Sequence, residues 1–137
     1  MRILLVEDSD PLSDLFRVQL YRLGQHEMVQ AGSKKRGLEL YRPGAFDVVF
    51  IDMGLEGIQD RGLEIIREIK IQAPEQRIGV LSSNDLQDMV RQSQQAGAEF
   101  YMVKPFTMEG LKIILEGDRA KMKTYRPEIG EGRILAL

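Results

Sequence analysis

The chain has no cysteine and no tryptophan, and only one histidine among its 137 residues. Without cysteine there is no disulfide framework and no thiolate metal site, which suits a cytoplasmic protein. The lone imidazole, His26, argues strongly against a zinc centre or a Ser-His triad and reads as a surface or core-filling residue. Long apolar runs are also missing: none approaches the roughly 20 residues that a membrane helix needs. The opening Met1-Arg2-Ile3-Leu4-Leu5-Val6 meets acidic residues at once, so it reads as a strand and not as a signal peptide. Nor is there a basic surplus. A net charge of −2 argues against direct nucleic-acid binding. What remains, 43% hydrophobic and 29% charged, describes one soluble globular domain large enough to bury a core.

The chain is organised around Phe46-Asp47-Val48-Val49-Phe50-Ile51-Asp52-Met53-Gly54, a β-branched and aromatic run too short to span a membrane. It reads as a strand buried on both faces that ends on a carboxylate and a glycine. Strand-like segments recur at Arg2 to Val6, His26 to Ala31, Arg77 to Ser82 and Phe100 to Val103. Between them lie helical patterns. Asp10-Pro11 opens one that Gly24 closes, and Ser33 caps a second that stops before Pro43-Gly44. A third carries Leu63, Ile66 and Ile69, and a fourth runs from a cap at Asn84 or Asp85 through Ala96. Thr107 caps a last helix whose inner face holds Leu111, Ile114, Leu115 and Met122. Five alternations of strand and helix predict a doubly wound α/β fold with a five-stranded parallel sheet. The domain is expected over residues 1–122, with residues 123–137 a tail or the start of a linker.

Four strand ends carry reactive side chains: Glu7-Asp8, Asp52, Ser82-Ser83 and Lys104. A parallel sheet delivers all of them to one edge, where ligands of open α/β sheets collect. Carboxylates gathered there repel, each pair by about 3 kcal/mol at ~5 Å and an effective dielectric of ~20. A hard divalent cation relieves that repulsion, and an oxygen-only donor set points to Mg²⁺, with Mn²⁺ as a substitute. Cation, ammonium, hydroxyl and an exposed carboxylate together form a set suited to phosphoryl transfer.

At this point the sequence resembles the receiver domain of two-component response regulators, over residues 1 to about 122. The resemblance rests on Leu5-Val6-Glu7-Asp8, on Asp52, on Val80-Leu81-Ser82-Ser83, and on Ala96-Gly97-Ala98 with Tyr101-Met102-Val103-Lys104-Pro105-Phe106. It implies a flavodoxin-like fold of strand order 2-1-3-4-5. It further implies Asp52 as phosphoacceptor and Mg²⁺ ligand, Asp8 as direct Mg²⁺ ligand, Glu7 as a ligand through water, and the Gly54 carbonyl as a further ligand. Ser82 would be the switch hydroxyl, Lys104 the phosphate-pairing lysine and Tyr101 the switch aromatic, turning inward on phosphorylation. The implied function is a phospho-switch rather than an enzyme, limited to self-phosphorylation from a donor and self-dephosphorylation. Its implied partners are a sensor histidine kinase or phosphotransfer protein and a downstream protein target. They would be read through the face of the fourth helix, fifth strand and fifth helix, which could also form a homodimer.

One stretch departs from the family. After Asp52 the family usually continues with Met-Pro and Met-Asp-Gly elements, whereas here Leu55-Glu56-Gly57-Ile58-Gln59-Asp60-Arg61-Gly62 follows Gly54. This loop, without proline and rich in glycine, is expected to be the most mobile segment near the site. Other readings are weaker. A haloacid dehalogenase-type phosphatase would need a second Asp where Gly54 stands, and a flavodoxin-like phosphate loop would be repelled by Glu7-Asp8-Ser9-Asp10. A receiver-like module that is never phosphorylated would have little use for the intact acidic set. In the tail, Lys123 to Arg133 is polar and Ile134 to Leu137 apolar, so it is either disordered or docked through Ile134, Leu135 and Leu137.

Overall fold

The structure, a computed structural model, describes residues 1–127 and 132–137. Strands β1 (Arg2–Val6), β2 (Glu27–Ala31), β3 (Val48–Asp52), β4 (Arg77–Ser82) and β5 (Phe100–Val103) are parallel. Helices α1 (Asp10–Leu23), α2 (Lys34–Leu40), α3 (Arg61–Gln72), α4 (Gln87–Ala96) and α5 (Met108–Glu116) follow the strands in turn. Helix α6 (Arg119–Thr124) and strand β6 (Ile134–Ala136) complete the described chain. The sheet order is β2-β1-β3-β4-β5-β6, so the expected 2-1-3-4-5 order is present and gains a sixth strand.

All five residues of β3 are buried, because the strand is covered on both faces. Val49 and Ile51 enter one apolar cluster with Leu63, Ile66 and Ile69 of α3. Val48 and Phe50 enter the other with Phe16 of α1 and Leu111 and Ile114 of α5. The second cluster is built around aromatic edges, with Phe16 to Phe50 at 4.8 Å and Phe50 to Phe100 at 5.4 Å between ring centroids. Each fully buried Phe contributes roughly 2–3 kcal/mol. Gly79 makes the Phe100 position accessible: a Cβ there would lie 1.8 Å from the Phe100 ring.

Several helix ends differ from expectation. Ser9, not Asp10, caps α1 by accepting from the Leu12 amide at 3.3 Å. Asp10 then sits in the first turn, where its charge complements the helix dipole. Ser33 caps α2 through the Arg36 amide, as the sequence predicts. Neither Asn84 nor Asp85 caps α4. The N-cap is Leu86 without a side-chain bond; Asn84 accepts from the Leu86 amide, and Asp85 pairs with Arg133. The helix expected to run from Thr107 through Met122 is two. Gly117, in the left-handed region at φ 70°, ends α5, and Asp118 caps α6 by accepting from the Lys121 amide.

The sheet is not all-parallel. Strand β6 runs antiparallel to β5, with Phe100, Tyr101 and Met102 opposite Ala136, Leu135 and Ile134. Amides flank the pair on both ends, Val103 donating to the Arg133 carbonyl and Leu137 to that of Glu99, each at 2.9 Å. The alternation of Ile134 and Leu135 between the two faces gives the strand its reason: Ile134 is buried with the α5 cluster, and Leu135 packs on the α4 side. Of the predicted tail, residues 128–131 lie outside the described residues.

Candidate functional site

The strand order reverses between β1 and β3, and the ends of β1, β3, β4 and β5 converge beside that reversal. Glu7 and Asp52 are buried, at 1% and 7% exposure, while Asp8 faces solvent. One carboxylate oxygen from each of the three lies within 4.8 Å of the others. From the opposite side, the Lys104 ammonium donates to Glu7 at 2.8 Å and to Asp52 at 3.1 Å. Lys104 is positioned by its backbone, whose amide donates to the Ser82 carbonyl at 2.7 Å and ties the β4 and β5 ends together.

Burial pushes the Glu7 carboxyl up to about 7, reinforced by its hydrogen bond with Asp52 and opposed by Lys104. For Lys104 burial works against the charge, but Glu7 and Asp52 outweigh it and hold the ammonium above the usual lysine value. One ammonium does not neutralise three carboxylates. An oxygen-only set of this kind fits a hard cation such as Mg²⁺, and Glu7, Asp8 and Asp52 are the residues that would hold it.

Beyond Asp52 opens a cleft of about 240 Å³, lined by Gly54, Ser82, Asn84, Met89 and Lys104 among others. Ser82 is buried at its wall, and its hydroxyl accepts from the Asn84 amide at 3.4 Å. Tyr101 does not line the cleft. Its ring is fully buried behind β4, and its hydroxyl donates to the Asn84 carbonyl at 2.6 Å. Burial raises that hydroxyl above the usual tyrosine value. The resemblance implies a Tyr101 that turns inward on phosphorylation; in this structure the ring is already inside, with Leu135 of β6 opposite it.

The loop after Asp52 is a 3₁₀ turn over Leu55–Gly57, held by the buried Leu55 side chain. Glu56 takes up a positive φ of 61° and its carboxylate accepts from the Lys34 amide at 2.7 Å, tying the loop to the start of α2. That tie, and the cleft residues Asn84 and Met89, were missed in the sequence; only the nearness of Asn84 to Ser82 offered a signal. Gly62 explains how α3 begins so close to the acceptor strand. Its amide donates to the Met53 carbonyl, and a Cβ would lie 2.6 Å from the Asp52 carbonyl oxygen.

A doubly wound α/β sheet with an acidic trio, a lysine and a hydroxyl at its switch point defines a signalling receiver fold. The family model described as the response regulator receiver domain matches residues 3–116, and the chain belongs to that family. Receiver domains are signalling switches, and response regulators interact with histidine kinases and downstream targets. The chain is 37% identical over 119 residues to the two-component response regulator PhoP of Pseudomonas aeruginosa, covering 84% of this chain and 50% of that one. It is 28% identical to chemotaxis protein CheY-3 of Vibrio cholerae, covering 85% and 89%. To the alginate biosynthesis regulator AlgB of Pseudomonas aeruginosa it is 31% identical over 82% of its length, but spans only about a quarter (24%) of that relative. Among solved structures, a receiver domain protein from Clostridium thermocellum superposes with a TM-score of 0.77 at 27% identity, covering 90% and 98%. No helix among the described residues is long and apolar enough to cross a membrane.

Proposed function

We propose that this receiver accepts a phosphoryl group on Asp52 from a histidine kinase or phosphotransfer protein, and passes the change to a protein target. The observation that carries the reading is the position of Asp52, between an acidic pair and a lysine at the mouth of an open cleft. A carboxylate oxygen of Asp52 forms a bond to phosphorus as the bond from phosphorus to the donor nitrogen breaks, the electron pair leaving with the donor. Lys104 stabilises the charge that builds on the phosphoryl oxygens, and the Ser82 hydroxyl donates to one of them. Mg²⁺, when bound, supplies further neutralisation of that charge. Asp8, Asp52 and the Gly54 carbonyl would hold the cation, with Glu7 contributing through water. The switching unit comprises residues 1–122. The expected output face of α4, β5 and α5 carries β6 over the β5 edge in this structure, so the face offered to a target is α4, β6 and α5, with Tyr101 buried beneath it and bonded to the Asn84 carbonyl beside Ser82. A homodimer through α4, β5 and α5 would require β6 to leave the β5 edge, and the proposed location is the cytoplasm.

The test is incubation with acetyl phosphate and Mg²⁺, followed by intact mass. Wild type should gain one phosphoryl group, and chelator or Asp52→Asn should abolish the gain. Stable labelling of Asp52→Asn at the wild-type rate would remove the assignment.

A further inference from the structure

Residues 132–137 touch both loops that carry the cleft's polar wall. Arg133 pairs with Asp85 in the β4–α4 loop, the loop that contains Ser83 and Asn84 and follows Ser82. The Arg133 carbonyl accepts from Val103, the residue before Lys104. Gly132 lies against the β5–α5 loop so closely that a Cβ would meet the Thr107 amide at 3.0 Å and the Pro105 carbonyl at 3.2 Å. Its φ of 72° suits glycine, so this seat favours a residue without a side chain. Next, Leu135 stands opposite Tyr101 on β5 and packs in the same apolar cluster. Tyr101 in turn bonds the Asn84 carbonyl. The closing segment is thus a clasp across the Ser82 loop and the Lys104 loop, with a second path through Tyr101.

We propose that docking of residues 132–137 on β5 is thermodynamically linked, with positive sign, to occupation of the Asp52 cleft. This rests on the reading of Asp52 as the acceptor. The physical reason is shared ordering. A phosphoryl group needs Ser82 and Lys104 held together, and the docked segment already holds the loops that bear them, so each event lowers the ordering cost of the other. A covered β5 edge also removes the unpaired strand that β5 would otherwise present. The segment therefore works as a regulatory element in cis: whatever loosens it weakens the site, and whatever fills the site tightens it.

The Val103 and Leu137 amides report docking directly, because both lie in the β5–β6 ladder. Their hydrogen exchange is measured with and without Mg²⁺ and beryllium fluoride, a phosphoryl mimic, whose half-saturating concentration is read from amide shifts around Gly54. In wild type, saturation should slow both amides by roughly five- to tenfold, at the lower end of ordinary coupling between sites. Leu135→Asp in the full chain should speed both amides and raise the half-saturating concentration by a similar factor, since linkage is reciprocal. Arg133→Glu, a change at a partly exposed residue, should act in the same direction and be reversed by Asp85→Arg. Freed amides with an unchanged half-saturating concentration would overturn the linkage while leaving Asp52 as acceptor. Exchange at Val103 and Leu137 that ignores the mimic, or quickens with it, would overturn it too. A wild-type cleft that never saturates would instead remove the acceptor reading and the linkage with it.

Discussion

Glu7 offers the sharpest test of the site's electrostatics. Its carboxyl is pushed from an ordinary 4.5 to about 7 by burial and by Asp52, so in the folded, metal-free protein it keeps its proton where the unfolded chain has lost it. A group whose folded pKa is raised makes its full contribution below the unfolded value and loses it as pH rises through the folded value. Metal-free stability should therefore fall between about pH 4.5 and 7 and level off above, by about 3 kcal/mol if the whole shift is realised. Glu7→Gln, which cannot ionise, should flatten that fall and leave the metal-free variant more stable than wild type at pH 8. His26 works the other way, because burial and the nearby amino terminus lower its pKa, but it is common to both proteins and cancels in the difference. The assay is urea unfolding in chelator at pH 5, 6, 7 and 8, repeated with Mg²⁺. The cation should stabilise wild type most at the highest pH, where Glu7 is charged. A wild-type profile parallel to that of Glu7→Gln over this range would refute the reasoning.

Two further outcomes follow from close packing. Gly62→Ala would drive a methyl to 2.6 Å from the Asp52 carbonyl oxygen, and backbone must shift to relieve it. It should cost about 1–3 kcal/mol in chemical denaturation and slow labelling by acetyl phosphate, because the displaced atoms belong to the acceptor strand. Tyr41→Phe would remove the donor to Gln76, a pair buried at 2.7 Å beneath Phe46. Leaving that amide oxygen unpaired should cost about 1–3 kcal/mol in the same assay, with no change in labelling at Asp52.

The strand ends were legible because a parallel sheet imposes its own geometry. Once Val48 to Asp52 reads as a central strand, alternation with helices sends Glu7, Ser82 and Lys104 to the same edge as Asp52. The apolar periodicity of α3 and the Ser33 cap are likewise local, written in neighbouring residues. What the sequence left open depended on contacts between distant segments. Asp85 was a fair candidate for a helix cap, and only the arrival of Arg133 took its carboxylate elsewhere. The Gly-rich loop suggested freedom, but the buried Leu55 and the bond from Lys34 to Glu56 draw it into a turn. The apolar spacing from Thr107 to Met122 reads as one helix, but the left-handed Gly117 and the Asp118 cap beside it break it into two. The closing Ile134-Leu135-Ala136 is too short to fix its state alone. A three-residue strand gains its stability from the edge it pairs with, and that edge, β5, is set by the whole sheet behind it. The sequence by itself determined the fold class and the chemistry gathered at the sheet's edge, through periodicity and residue type. Tertiary structure alone decided that Tyr101 is already buried and that residues 132–137 bind the two loops beside it, because both depend on pairing between residues far apart in the chain.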